Sequence, residues 1–296
     1  MTTLEVVKRV ALNKILFATD FSPCSNAAMA YAVAIANQYG AKLYAAHVLS
    51  PDSYLFATPE TLPSLIDQAE EQKQLDAALL EEQLRGVPHQ VLSPVGDIAD
   101  VLFRLVREHA IDLLVLGTHG RSGLSRLVMG SVAEKIFRQA PCPVLTVGPC
   151  ASAGQGAVAG FKHILFATSF SDESLAAAHY AISLAQENQA HLTFLNVLER
   201  SAAGTVDFDA NADFILNRLR EMVPPEAELW CQPQFIVEFG AVEQQILNVA
   251  EAQGADLIVL GIHAPQAPVT AATHLGHSKA QRIVALATCP VLTVRG

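Results

Sequence analysis

The chain repeats itself, and the repeat limits what it can fold into. Lys14-Ile-Leu-Phe-Ala-Thr-Asp-Phe-Ser22 returns as His163-Ile-Leu-Phe-Ala-Thr-Ser-Phe-Ser171, with seven of nine positions identical. Asp112-Leu-Leu-Val-Leu-Gly-Thr-His119 returns as Asp256-Leu-Ile-Val-Leu-Gly-Ile-His263. Pro141-Cys-Pro-Val-Leu-Thr-Val147 returns as Thr288-Cys-Pro-Val-Leu-Thr-Val294. The matches keep their order at offsets of 149, 144 and 147, which chance does not produce. One unit has been duplicated, with small insertions and deletions in its loops. The expected domains are residues 1–148 and 162–296. Residues 149–161, rich in Gly and Ala, read as a flexible linker.

Within each copy, short apolar runs alternate with helical patterns. In the first copy the expected strands are Lys14–Ala18, Lys42–Val48, Gln90–Ser93, Asp112–Leu116 and Val144–Val147. Ser22-Pro23 reads as N-cap and first-turn proline of a helix that ends at Gly40. Pro63–Leu84 reads as a long exposed helix, Asp97–His109 as an amphipathic one, and Ser131 starts another. The second copy follows the same order, with its last helix expected at Ser278–Leu286. Strict alternation with near-continuous apolar strands implies an α/β fold: two tandem doubly wound domains, each a five-stranded parallel sheet with helices on both faces. Ligands of such sheets bind beyond the carboxyl ends of the strands, where the strand order reverses. The residues after strands one and four are therefore the ones to inspect.

Composition narrows the function. A formal net charge of −10, with no local Lys/Arg run, argues against a nucleic-acid partner. The longest apolar stretches are strand-sized, far below the roughly 20 residues of a membrane span. Met1–Val10 has no apolar run of signal-peptide length, so a soluble cytoplasmic protein is expected. The five cysteines form no C-x-x-C pair and read as free thiols. His119, His263, His274 and His277 lack carboxylate or thiol partners at ligand spacing and read as loop residues. Glu134 and Lys135 read as a solvated helix face.

The segment after strand four carries the strongest chemical signal. It reads Gly117-Thr-His-Gly120-Arg121-Ser-Gly-Leu-Ser-Arg126-Leu-Val-Met-Gly130-Ser131-Val132. Gly117 and Gly120 would let backbone approach a ligand closely. Gly130-Ser131 opens a helix whose first N–H groups have no intrahelical partner, a ready anion site. Ser131 adds a hydroxyl, and Arg121 and Arg126 add charge. These parts describe a phosphate cradle, or else a long glycine-rich loop leading into a capped helix. Neither a G-x-x-x-x-G-K-[ST] loop nor a G-x-G-x-x-G turn after the first strand is present.

The spacing Gly117-x2-Gly120-x9-Gly130-Ser131 resembles the signature of the ATP-binding branch of the universal stress protein (UspA-like) family. The resemblance extends over nearly the whole chain, through the Ala-Thr-Asp opening and the closing Pro-Val-Leu-Thr-Val strand. It implies strand order 3-2-1-4-5 and binding of ATP or AMP at the strand ends. It places Ala18, Thr19 and Asp20 beside adenine and ribose, and Val48 beside adenine. Leu116 and Gly117 would lead into the phosphate loop, with Gly120, Gly130, Ser131 and Val132 as phosphate contacts. Ala133 departs from the Thr or Ser often found there, which would remove one phosphate hydrogen bond worth about 0.5–1.5 kcal/mol. Asp20 could accept from ribose hydroxyls or hold Mg²⁺ beside the phosphates, or it could serve only as an acid near the helix N-terminus.

The second copy has lost these features. Asp20 becomes Ser169, Gly120 becomes Ala264, Gly130 becomes His277, and no Arg follows strand four. Only Ser278 keeps the hydroxyl. Each loss would cost about 1–3 kcal/mol of phosphate binding, enough in sum to erase a micromolar site of roughly −8 kcal/mol. The expected function is a nucleotide-responsive stress or regulatory protein that binds in its first half, would order the Thr118–Met129 loop, and presents that state to a protein partner. The alternatives are a slow Mg-dependent ATP hydrolase and a purely structural interaction module. The resemblance also implies pairing of Val144–Val147 with Val291–Val294 within one chain, and leaves room for a homodimer.

Overall fold

The computed structural model describes residues 9–50, 62–118, 130–151, 160–199, 208–224, 231, 233–263 and 278–295. The first half runs β1 (Lys14–Ala18), α1 (Pro23–Tyr39), β2 (Lys42–Ala46), α2 (Leu62–Gln83), β3 (His89–Leu92), α3 (Ile98–His109), β4 (Leu113–Gly117), α4 (Ser131–Gln139) and β5 (Val144–Val147). The second runs β6 (His163–Ala167), α5 (Asp172–Asn188), β7 (His191–Leu198), α6 (Phe208–Glu221), β8 (Gln234–Phe239), α7 (Val242–Ala252), β9 (Leu257–Ile262), α8 (Lys279–Leu286) and β10 (Val291–Arg295). No helix among the described residues is long and apolar enough to cross a membrane.

Local chemistry accounts for the element boundaries. Ser22 and Ser171 cap α1 and α5, each accepting the N–H of the residue three further on. Gly40 ends α1 in the left-handed region, at φ 63°. Between β1 and α1 the chain passes through Phe21 at φ 60°, and its repeat Phe170 sits at φ 61°. Each of these N–H groups donates to a threonine hydroxyl two residues back, Thr19 or Thr168, at 3.0 Å. Asp112 accepts the N–H groups of Asn13 and Lys14, and Asp256 those of Lys162 and His163. These carboxylates fix the starts of β1 and β6 and explain why the acid precedes strand four in both copies. Ser278 is a cap, so the last helix starts at Lys279, one residue later than its sequence pattern suggests.

The two halves share one sheet. Among the described residues, ten strands lie in the order β3-β2-β1-β4-β5-β10-β9-β6-β7-β8. All neighbours are parallel except β5 and β10, which are antiparallel. The register pairs Leu145 with Leu292, Thr146 with Val291 and Val144 with Thr293. Leu145 and Leu292 occupy the same place in the repeat, so a local two-fold axis passes between them, as in an isologous interface. Glu134 is therefore not a solvated residue alone: its carboxylate accepts from Gln281 across the seam. The Arg295 guanidinium donates to the Phe137 carbonyl from the other side.

Alternating strand residues feed two cores, each continuous through both halves. Ile15, Phe17, Leu43 and Val115 face one core, with α1, α2, α5 and α6 over it. Leu16, Tyr44, Leu114 and Leu116 face the other, beneath α3, α4, α7 and α8. Phe17, Phe166 and Phe194 are fully buried, each contributing about 2–3 kcal/mol through its removal from water. Helix α2 is less exposed than its composition suggests, because Asp76 and Leu80, continued by Leu84 just past its end, form a buried stripe. Most of the linker 149–161 lies outside the described residues. At its ends Ala151 and Phe161 are buried, and Phe161 stacks on Tyr31. The cysteines are free. Burial pushes Cys142 and Cys289, equivalent residues before β5 and β10, up to about 12, so neither is a nucleophile at neutral pH.

The seam should answer to a single charge. Leu145→Asp and Leu292→Asp each bury an unpaired carboxylate at the two-fold. Each is expected to lower unfolding free energy by about 3–5 kcal/mol in urea titration, with similar losses because the positions are equivalent.

Candidate functional site

A cavity of about 270 Å³ opens where the sheet order reverses, between β1 and β4 at their carboxyl ends. β1 and its following turn supply Ala18, Thr19 and Asp20, and the segment after β2 supplies Val48. β4 supplies Leu116 and Gly117. The start of α4 supplies Gly130, Ser131 and Val132, with Ala133 behind them. Ile98 and Leu102 of α3 close the apolar side. Nine of the residues singled out from the sequence thus meet in one cavity. Gly120 and Arg121, like Arg126 and His119, lie outside the described residues.

Short bonds hold this geometry. The Thr19 N–H donates to Ala46 O, and the Thr118 N–H to Val147 O, each at 3.0 Å. The Gly130 N–H then donates to Thr118 O at 3.0 Å, bringing the helix start back onto the strand end. Asp20 Oδ1 accepts the Ser22 N–H at 3.0 Å, which turns this carboxylate toward α1. Lys135 of α4 reaches Asp97 at 3.0 Å and Asp100 at 2.8 Å, so it ties α4 to α3 rather than facing solvent alone. The Asp97 carboxyl is held below its usual range, first by the Asp100 N–H that it caps and then by Lys135.

The glycines divide into two kinds. A Cβ on Gly117 would lie 2.8 Å from the Cys24 carbonyl carbon and 2.8 Å from the Ser25 nitrogen. Its repeat Gly261 is tighter still, with Ser174 N at 2.4 Å. The backbone of α1 or α5 by itself demands glycine there, a packing reason that the sequence does not announce, while Gly117 also lines the cavity. Gly130 is different. Its φ is −60°, and among the described residues a Cβ would meet only Thr118 O, at an ordinary 3.4 Å, so these neighbours do not demand glycine. As N-cap of α4, Gly130 provides no side-chain hydrogen bond to the first turn.

The second half closes the same helix end with its own side chains. Ser278 Oγ accepts from Gln281 N, and Gln281 Oε1 accepts from Ser278 N, a complete capping box. Lys279 stands where the first half has Val132 and pairs with Glu199 at 2.5 Å. Ala264 and His277 lie outside the described residues. His263 pairs with Glu173 at 2.8 Å, and no cluster of three or more potential metal ligands occurs among the described residues.

A buried pair behind the cavity wall was missed. His47, between Ala46 and Val48, sits with Nδ1 3.1 Å from Asp76 Oδ2. Its ring meets Phe21 edge-on at 4.9 Å, and Gln72 donates to Asp76 Oδ1 at 2.8 Å. The pair buttresses the turn that carries Asp20. The signal was present: Asp76, Leu80 and Leu84 recur every four residues, the spacing of one helix face.

The sequence pattern of the universal stress protein family matches residues 11–148 and again residues 160–295. The chain belongs to the universal stress protein family. It is a tandem member, each half matching separately. A universal stress protein of Methanocaldococcus jannaschii is 31% identical over 137 residues, which is 45% of this chain and 81% of the relative. One of Bacillus subtilis is 28% identical over 145 residues, 46% of this chain and 98% of the relative. At full length the fold is similar to the crystal structure of a universal stress protein from Archaeoglobus fulgidus. The TM-score is 0.70 at 18% identity, covering 96% of this chain and 98% of that one.

The two kinds of glycine should separate in stability. Gly117→Ala pushes a methyl into helix backbone and is expected to cost about 1–3 kcal/mol. Gly130→Ala changes only a cap and is expected to cost less than about 1 kcal/mol. Thermal and urea unfolding of both variants check this.

Proposed function

We propose that this universal stress protein binds an adenine nucleotide, ATP or AMP, in the first-half cavity, and that the second half does not bind phosphate. Occupancy of that site would be the signal that a protein partner reads. The domains taken as functional units are residues 1–148 and 162–296, joined by 149–161. One observation carries the reading. The α4 N-terminus, capped by a glycine with no side-chain bond, borders a largely apolar cavity, whereas its counterpart α8 is sealed by Ser278 and Gln281. A helix start without a side-chain cap offers N–H donors and a positive dipole end to an anion. Apolar walls such as Val48, Leu116 and Leu102 suit the face of a base.

In this arrangement Ala18, Thr19 and Val48 would flank the base and Asp20 the ribose. Gly130, Ser131 and Val132 would meet the phosphates, with Gly120 and Arg121 contributing from the connecting segment. Asp20 could supply one oxygen ligand to a Mg²⁺ carried in by the phosphates, since Mg²⁺ is commonly held by one or two carboxylates plus phosphate oxygens. Binding is favoured over hydrolysis because phosphoryl transfer needs a positioned base and charge clamps. Asp20 is the one titratable side chain among the described residues that line the cavity.

The test is to denature the purified protein, release its ligand and identify it by mass spectrometry. One adenine nucleotide per chain is expected. Gly130→His, which copies the second half, should keep the fold and lose the nucleotide. A variant that still carries stoichiometric nucleotide would overturn the assignment of this helix start.

A further inference from the structure

The second half keeps a cleft at the place equivalent to the first. It measures about 170 Å³ against about 270 Å³, and its lining residues occupy positions that also line the first cavity, although Ile262 and Ser278, the counterparts of Thr118 and Ser131, are not among them. Three exchanges define how it differs. Ala46 becomes Leu195, which narrows the floor. Val132 becomes Lys279, which brings the Glu199 carboxylate to the first turn of α8. Asp20 becomes Ser169, which replaces a charge with a hydroxyl. The Asp20 carboxylate is lost, the helix start is closed by its own side chains, and Lys279, paired with Glu199, is the one charged side chain among the described residues that line the cleft; the rest of that described lining leaves an apolar cleft open. An apolar cavity of about 150 Å³ is enough to hold a benzene ring.

The rim carries hydroxyls. Ser169 Oγ lies 3.1 Å from Ser174 Oγ and donates to Ser171 Oγ at 3.3 Å, and Ser171 and Ser174 stand 3.3 Å apart. These contacts are long for O–H···O bonds, whose usual length is about 2.7–2.8 Å. Exchanging one of them for a ligand's hydrogen-bonding edge would therefore cost little.

We infer that the second-half cleft is a binding site for a neutral, planar ring compound of about purine size with a hydrogen-bonding edge, and that it rejects the phosphorylated form. Leu195 and Ile246 would sandwich the ring, and Ser169 would meet its polar edge. Size sets the upper limit, since the cleft holds a ring system and not a whole nucleotide. The start of α8 sets the charge preference, because Lys279, the cation in the lining, is already paired with Glu199, whose carboxylate would oppose a phosphate, and the Ser278 and Gln281 N–H groups are taken by the capping box. The chain would then read two different ligands, and the two clefts would face opposite edges of the sheet.

Methyl-resolved NMR of the full chain tests this with adenine and AMP as probes. The methyls of Val197, Ile246 and Leu260 report the second cleft, and those of Val48, Leu102 and Leu116 report the first. Adenine should shift the second set saturably, and AMP should leave that set in place. Ala280→Phe, which fills the cleft, should abolish the adenine shifts while the first set stays unchanged. Ser169→Ala should weaken adenine about 3- to 10-fold through loss of one hydrogen bond. No shift of the second set by adenine, shifts that survive Ala280→Phe, or equal shifts by AMP would each overturn the inference. Silence of the first set with AMP would count only against the nucleotide reading of the first half, so the two failures are distinguishable.

Discussion

The antiparallel pairing of β5 with β10 organises the molecule. Each half alone would end in a strand with an unpaired edge, a liability for a parallel sheet. Pairing the two edges removes both and makes one ten-stranded sheet with two through-running cores. The pairing also sets direction. Strands within each half are parallel, so reversal at the seam points the carboxyl ends of the two halves toward opposite edges of the sheet. Two clefts on opposite edges, related by a local two-fold, follow from one register centred on Leu145 and Leu292.

Duplication made an internal comparison that separates fold from ligand chemistry. Positions kept in both halves have structural work within the fold. Thr19 and Thr168 hold the turn after the first strand, Ser22 and Ser171 cap the next helix, Asp112 and Asp256 fix the strand starts, and Gly117 and Gly261 admit a helix backbone. Positions that differ line the cleft: Asp20 against Ser169, Ala46 against Leu195, Val132 against Lys279. Membership of the universal stress protein family explains the shared framework. The divergence gives the two cleft linings different charge and size, and the framework tolerates it.

Much of the fold was legible in the sequence. Apolar runs of strand length, Ser-Pro and Asp caps and Gly40 announced the elements to within a residue or two, since these signals are local. The candidate site was legible as a set of positions, because strand ends at the reversal point of a parallel sheet must come together. What each residue does there was less legible. Gly117 looked like a glycine kept for a ligand alone, and it is also demanded by the α1 backbone. Lys135 looked solvated and ties α4 to α3. His47 and Asp76, nearly thirty residues apart in the chain, form a buried pair that no local pattern names, although the spacing of Asp76, Leu80 and Leu84 hinted at it.

By itself the sequence determined the duplication, the α/β alternation and the contrast between the Gly130-Ser131 and His277-Ser278 helix starts. Periodicity, caps and spacing are properties of neighbouring residues, so they survive without coordinates. Only the tertiary structure decided the antiparallel register that joins the two halves, that Gly117 answers to Cys24 and Ser25, and that Ser278 turns back on Gln281 to seal α8. These depend on distances between segments brought together by packing. A glycine hemmed in by a helix backbone and one without such a neighbour among the described residues are the same letter until those distances are known.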